Sequence, residues 1–159
     1  MVEEDEQFEK TDAGSSHTYP KQCGTLKKGD YVMIKDHPCK MVEMTTAKTG
    51  KHGHAKAAIV GIDIFTHKKH EDSCPTSHSI EAPFVTRKDY PLADIDQDGF
   101  CTLMLENGTT KEDLKLPIEE EDKELVDRIK ASFEAGKEVV LGVMSAMGQE
   151  KIVEMKELS

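Results

Sequence analysis

The stretch Thr45–Lys56, T-T-A-K-T-G-K-H-G-H-A-K, concentrates amines and imidazoles: Lys48, Lys51 and Lys56 with His52 and His54, and no acid. Thr49, Gly50 and Gly53 are interspersed among them, and no large apolar side chain interrupts the run. Three readings compete for such a set. A solvated loop without a role fits the composition. A phosphate-cradling loop requires G-x-x-x-x-G-K-[ST]. Here Thr45 stands where its first glycine belongs and His52 where its hydroxyl belongs, so that reading fails. A contact to nucleic-acid phosphates needs only the positive charge, which is present.

Other groupings carry less. Asp94, Asp96, Asp98 and Gly99 open like a calcium loop. The bidentate glutamate due at the twelfth position is Leu105, with Glu106 one residue late, so the segment reads as an acidic hairpin turn. His67, His70, Cys74 and His78 are spaced closely enough to suggest zinc. Lys68 and Lys69 between the first two oppose a cation, and Pro75 among polar neighbours points to an exposed loop. The expectation is therefore no metal. No Ser-His-Asp or Cys-His arrangement supports nucleophilic catalysis, so no catalytic residue is assigned and the chain is expected not to be an enzyme. His52 and His54 can titrate near neutral pH, with no carboxylate marked as their partner. Single-strand stacking needs aromatic faces. Beyond residue 83 only Phe84, Tyr90, Phe100 and Phe133 are available, and Phe133 reads as core.

The elements around the basic stretch explain how it would be presented. Met41-Val42-Glu43-Met44 precedes it and the β-branched run Ala57–Phe65 follows it, both with strand character. Gly50 and Gly53 bracket Lys51 and His52, where positive φ is cheap. The reading is a long hairpin with a basic tip that lifts Lys51 from the body. Residues 1–16 have few large apolar residues and read as a disordered acidic tail. From residue 17 to 83, short strands and turns without helical period predict a small all-β barrel. Glu81-Ala82-Pro83 is the expected joint. Beyond it, Thr86–Ala93, Phe100–Leu105 and Thr110–Leu116 read as strands, with Asn107-Gly108 as a hairpin turn. Ile118–Ala135 reads as a helix stopped by Gly136, with Leu125, Val126, Ile129 and Phe133 on one face. Lys137–Ser145 and Glu150–Lys156 complete five strands and one helix, an OB-fold over residues 84–159.

The net charge of −10 is unevenly spread: −5 over residues 1–19, +6 over 20–70, −3 over 71–85 and −8 over 86–159. One basic block inside an acidic chain can meet RNA phosphates while the remainder discourages indiscriminate binding. No stretch approaches the roughly 20 apolar residues of a bilayer span. The acidic start M-V-E-E-D-E has no apolar signal region. Cys23, Cys39, Cys74 and Cys101 are scattered, and reduced thiols in the cytosol are the expectation.

At K-T-G-K-H-G-H-A-K the chain resembles the eukaryotic translation initiation factor 5A family, the hypusine-containing proteins. C-K-M-V-E-M before it and V-G-I-D-I-F after it extend the likeness, as do Phe100–Met104 and Val143–Gly148. The resemblance covers nearly the whole chain beyond residue 16. It implies a mainly β architecture, an N-terminal SH3-like β-barrel followed by a C-terminal OB-fold with one helix. It implies hypusine at Lys51, made when spermidine supplies a 4-aminobutyl group that is then hydroxylated by the second of two modifying enzymes, deoxyhypusine synthase and deoxyhypusine hydroxylase. Apart from that spermidine-derived group it implies no cofactor and no metal. Lys48, Thr49, Gly50, His52, Gly53, His54 and Lys56 would form the ribosome-binding loop. The implied partners are the ribosome, its rRNA and the peptidyl-tRNA, with no membrane. The implied role is non-catalytic: promotion of peptide bond formation at stalled sites such as consecutive prolines, and assistance in termination. The implied location is the cytoplasm, with the nucleus as a second one. An unmodified RNA chaperone or adaptor is the rival; a metal-dependent nuclease lacks its carboxylate cluster.

Overall fold

Alternation of buried and exposed side chains shapes the first half of the chain. In the computed structural model, which describes residues 17–48 and 55–158, six strands follow one another: β1 (Thr18–Gln22), β2 (Tyr31–Ile34), β3 (His37–Lys48), β4 (Ala55–Asp63), β5 (Lys69–Pro75) and β6 (Ser79–Pro83). β2, β3, β4 and β5 form one antiparallel sheet in that order, and β1 pairs with β6. The β2–β3 turn is two residues long, Lys35 and Asp36, both at positive φ (50° and 70°). That backbone matches the right-handed twist of the flanking strands, at some steric cost for non-glycine residues. Val32, Ile34, Cys39, Met41, Ala57 and Ile59 pack inside the sheet with Cys23, Leu26 and Cys74. This unit, Met1–Phe84, is one of two into which the chain divides, and it is the SH3-like barrel.

Two features here depart from expectation. The polar segment around Pro75, read as an exposed loop, contains strand β5, and the expected joint Glu81-Ala82-Pro83 lies within β6. β5 buries only Cys74, so it lacks an apolar face to announce it; its ladder to β4 is what makes it a strand. The expectation of four reduced thiols also fails, because Cys23 and Cys74 are joined as a disulfide across 51 residues of sequence. The segments lie side by side because Cys23 N–H donates to His78 O and Gly24 N–H to Thr76 O, at 2.8 and 2.9 Å. Gly24 permits that approach: a Cβ there would stand 2.9 Å from Thr76 O.

The second unit, Val85–Ser159, is the OB-fold. β7 (Thr86–Ile95), β8 (Phe100–Met104), β9 (Thr110–Lys115), α1 (Lys123–Glu134), β10 (Glu138–Ala146) and β11 (Gln149–Leu158) follow in order. The sheet order is β11-β10-β7-β8-β9. Asn107-Gly108 makes the β8–β9 turn, with Gly108 at φ 88° and Asn107 Oδ1 accepting from Thr109 N–H at 3.1 Å. Gly136 at φ 77° ends α1, and Lys137 N–H donates back to Ser132 O at 3.1 Å. Leu103, Leu114, Leu116, Ile129, Val139, Leu141, Val143, Ile152 and Met155 form the core.

The helix starts later than its sequence suggests. Ile118 is 84% exposed, and a 3₁₀ turn over Glu120–Asp122 precedes α1. Lys151 of β11, only 9% exposed, reaches Asp122 Oδ2 at 2.7 Å and Glu119 Oε1 at 3.1 Å. Those ion pairs hold the entry as a tight turn instead of a continuing helix. Phe133, read as core, is only partly buried.

Candidate nucleic-acid interface

The β3–β4 hairpin changes character along its length. Near its base Cys39, Met41, Ile59 and Asp63 are buried. At its far end Thr45, Thr46, Ala47 and Lys48 are all exposed. The register shifts between Met41 and Glu43, a bulge that bends and further twists the outer half. The ladder then runs without interruption to Ala47↔Lys56 and Lys48↔Ala55. β5 supports the β4 arm as far as Lys56↔Pro75, and Thr76 N–H donates to Ala55 O at 3.0 Å. β2 pairs with β3 only from His37 to Lys40, so the outer β3 edge has no neighbouring strand among the described residues. Polar, threonine- and lysine-bearing residues on such an edge keep it from pairing with another sheet.

Lys48 and Lys56 are therefore exposed on the last two rungs, one on each arm. Among the described residues, no carboxylate forms an ion pair with either. Two unneutralised ammonium groups held on a two-stranded frame present charge to an anionic polymer without tying it up in internal pairs. The rest of the predicted loop, Thr49, Gly50, Lys51, His52, Gly53 and His54, lies outside the described residues. In sequence these six residues are the connection between Lys48 and Ala55.

The cysteines offer no nucleophile. Burial, reinforced by the Asp63 charge, pushes the Cys39 thiol up to about 11. Burial with the Asp96 charge does the same for Cys101, to about 11. Both stay protonated near neutral pH, and Cys23 and Cys74 are bonded to each other. The acidic turn is structural: Asp96 Oδ1 accepts from the backbone N–H groups of Asp98 and Phe100, each at 2.9 Å. Of the four suspected zinc ligands, Cys74 is spent in the disulfide and His78 is exposed. In the second unit Phe100 is 40% exposed, with the Lys115 ammonium 5.6 Å over its ring. One such face is a sparse platform for stacked bases.

Sequence reasoning missed the Lys151–Asp122–Glu119 cluster and the grouping of His37, Asp63 and His70. Only strand register brings those residues together, and no spacing rule finds them.

Two family models match the chain. One, described as translation initiation factor 5A-like, N-terminal, covers residues 16–78. The other, described as eukaryotic elongation factor 5A hypusine, DNA-binding OB fold, covers residues 84–156. Eukaryotic translation initiation factor 5A-1 of Arabidopsis thaliana is 52% identical over 99% of this chain and 98% of that relative. Factor 5A-1/2 of Solanum tuberosum is 54% identical with the same coverage of each. A solved structure of a translation initiation factor 5A family protein from Naegleria fowleri is 63% identical, with a TM-score of 0.81 over 88% of this chain and 99% of that one. The Methanococcus jannaschii factor 5A structure is 35% identical, with a TM-score of 0.68 over 88% of this chain and 96% of that one.

Proposed function

The chain belongs to the translation initiation factor 5A family, and we propose that it acts on the ribosome through hypusine formed at Lys51. The supporting observation is the β3–β4 frame, which ends in Lys48 and Lys56, exposed and unneutralised among the described residues, with Lys51 midway along the connection between them. In this reading the factor is not an enzyme. It sits beside the peptidyl-tRNA and extends its modified side chain toward the acceptor end. Aminobutyl transfer from spermidine lengthens the side chain and adds a second amine beyond the reach of lysine. Phosphates and sugar hydroxyls hold that cation, while Lys48, Thr49, Gly50, His52, Gly53, His54 and Lys56 line the contact. Peptide bond formation stays with the ribosome. The factor contributes orientation of poorly placed substrates, which can be worth orders of magnitude in rate. Consecutive prolines and termination are the proposed points of action. Deoxyhypusine synthase and deoxyhypusine hydroxylase are the proposed modifying enzymes, and rRNA the further partner. The proposed location is the cytoplasm, with the nucleus second; no described helix is long and apolar enough to cross a membrane.

Lys51→Arg tests this reading. Arginine keeps the charge but stays protonated, so it cannot act as the neutral amine that accepts the aminobutyl group. The expected outcome, in a factor-depleted translation system, is loss of proline-run reporter synthesis with unchanged thermal unfolding. Equal relief of the stall by the arginine variant overturns the reading and leaves an unmodified RNA adaptor. Peptide mapping of chain made in a eukaryotic host should place the added mass on Lys51 and on neither Lys48 nor Lys56.

A further inference from the structure

At the opposite end of the same hairpin, three potential metal ligands from three adjacent strands converge. His37 opens β3, Asp63 closes β4 and His70 lies in β5 opposite Gly61. One ligand atom from each lies within 4.8 Å of the other two. We propose that His37, Asp63 and His70 bind a divalent transition-metal ion of the zinc class, with one coordination position left open to solvent.

The carboxylate is built as a ligand would be. Asp63 is 4% exposed. Its Oδ1 accepts from the backbone N–H groups of Phe65 and Thr66, at 2.8 and 3.1 Å. Those two bonds fix the plane of the group and leave Oδ2 facing His37 Nδ1 at 3.2 Å. Outer bonds of this kind hold metal ligands in position. The His37 and His70 rings stack with centroids 4.1 Å apart and planes 10° from parallel. His70 Nε2 is buried and has no hydrogen-bond partner. A protonated His37 paired with Asp63 would account for the first two residues. It leaves His70 Nε2 buried with nothing to meet, which native interiors rarely tolerate. An ion gives that nitrogen, Asp63 Oδ2 and a His37 nitrogen a common partner.

The donor set selects the ion. Two imidazoles and one carboxylate suit zinc and its neighbours, whereas calcium and magnesium prefer all-oxygen shells. Tetrahedral zinc at about 2.1 Å from each donor sets ligand atoms roughly 3.4 Å apart. An imidazole binds a metal in its own ring plane, so ligation requires one ring to turn out of the present stack until both nitrogen lone pairs converge. His37 can make that turn, since its side chain is 47% exposed. That exposure also places the fourth position toward water, the arrangement of three protein ligands plus solvent. The site does not depend on the modification of Lys51, and its failure or success is independent of the translation reading.

The test uses the full chain, without a histidine tag, stripped of metal and kept free of thiol reductant so that the disulfide remains closed. Zn²⁺ is titrated against a chromophoric chelator, and Co²⁺ is added separately to read visible d–d absorption. The expected result is one tight Zn²⁺ per chain, a Co²⁺ spectrum of four-coordinate type and a rise in the thermal midpoint with Zn²⁺. His70→Gln and His37→Gln should each weaken Zn²⁺ by at least tenfold, while His78→Gln should leave it unchanged. His37→Arg separates the two accounts of the cluster: it can keep the ion pair to Asp63 but cannot ligate. It should unfold like the metal-free parent and lose the Zn²⁺-dependent rise. Absence of saturable Zn²⁺ binding overturns the proposal, as does binding that both glutamine variants and His37→Arg leave intact.

Discussion

The two units solve the same problem, closing a small β-structure, by different means. The second places α1 over its sheet and buries Leu103, Ile129, Leu141, Val143 and Ile152 in one core. The first has no α-helix among its described residues, and its core includes three cysteines and an alanine among its nine buried residues. So small a core in a short unit supplies little stability, and cross-links or metals commonly make up the difference. Here a disulfide joins Cys23 to Cys74. The contrast teaches where each unit can spare residues. The first devotes a long hairpin to display, with its outer rungs exposed, and its disulfide stands beside that outer half, where Cys74 lies opposite Ala57. The second keeps its strands in the sheet, and Arg87, Lys111, Lys137, Lys151 and Lys156 are paired with carboxylates distant in sequence.

The largest test of this contrast is reduction. A disulfide closing a loop of 51 residues' separation contributes about 4 kcal/mol by constraint of the unfolded chain. Cys23→Ser with Cys74→Ser should lower the unfolding midpoint of the first unit by that order in denaturant. Residues 85–159 expressed alone should unfold cooperatively at a midpoint indifferent to dithiothreitol. A common response of both would break the comparison.

Lys151→Ala is the corresponding lesion in the second unit. It removes the ammonium shared by Asp122 and Glu119, and breaking such a largely buried pair costs about 3 kcal/mol. Chemical denaturation of residues 85–159 reads it directly. A loss below the effect of an ordinary surface substitution would mean that the cluster is ornamental.

Neutralising the display costs far less stability. Lys48→Gln with Lys56→Gln should change unfolding by within about 0.5 kcal/mol per site. Ribosome or tRNA binding should weaken, and its salt dependence should become shallower by up to about two units of slope if both amines touch phosphates. An unchanged slope moves the contact elsewhere.

The smallest effect concerns pH. The Ser132 hydroxyl, followed by Lys137, holds the Glu157 carboxyl below its ordinary range. A depressed folded value means stability that is present above the unfolded carboxylate range and is lost as pH falls through the folded one. Ser132→Ala should therefore raise the Glu157 titration point in NMR and reduce the acid sensitivity of unfolding slightly. No movement of that titration would show that the hydroxyl contributes nothing.

Much of the architecture was legible because its signals are local. Asn107-Gly108 demands a hairpin turn, Gly136 ends a helix through its positive φ, and the β-branched run Ala57–Phe65 reads as strand from its side chains alone. Charge and glycine content mark the stretch from Lys48 to Lys56 without reference to any neighbour, and of it Lys48, Ala55 and Lys56 are among the described residues. β5 was not legible, because its residues are polar and only the β4 ladder makes them a strand. The thiols were misread for a similar reason: compartment and spacing pointed to reduced cysteines, while the paths of two segments brought Cys23 to Cys74.

By itself, then, the amino-acid order determined the family and the two β-rich units. Tertiary structure alone decided what stands at the near end of the hairpin. His37, Asp63 and His70 meet because three strands pair in one register, and a one-residue slip would turn their side chains to the opposite face. The same holds for Lys151 and its two carboxylates. Interactions carried by neighbouring residues are written in the chain, whereas those carried by register exist only once the backbone has chosen its path.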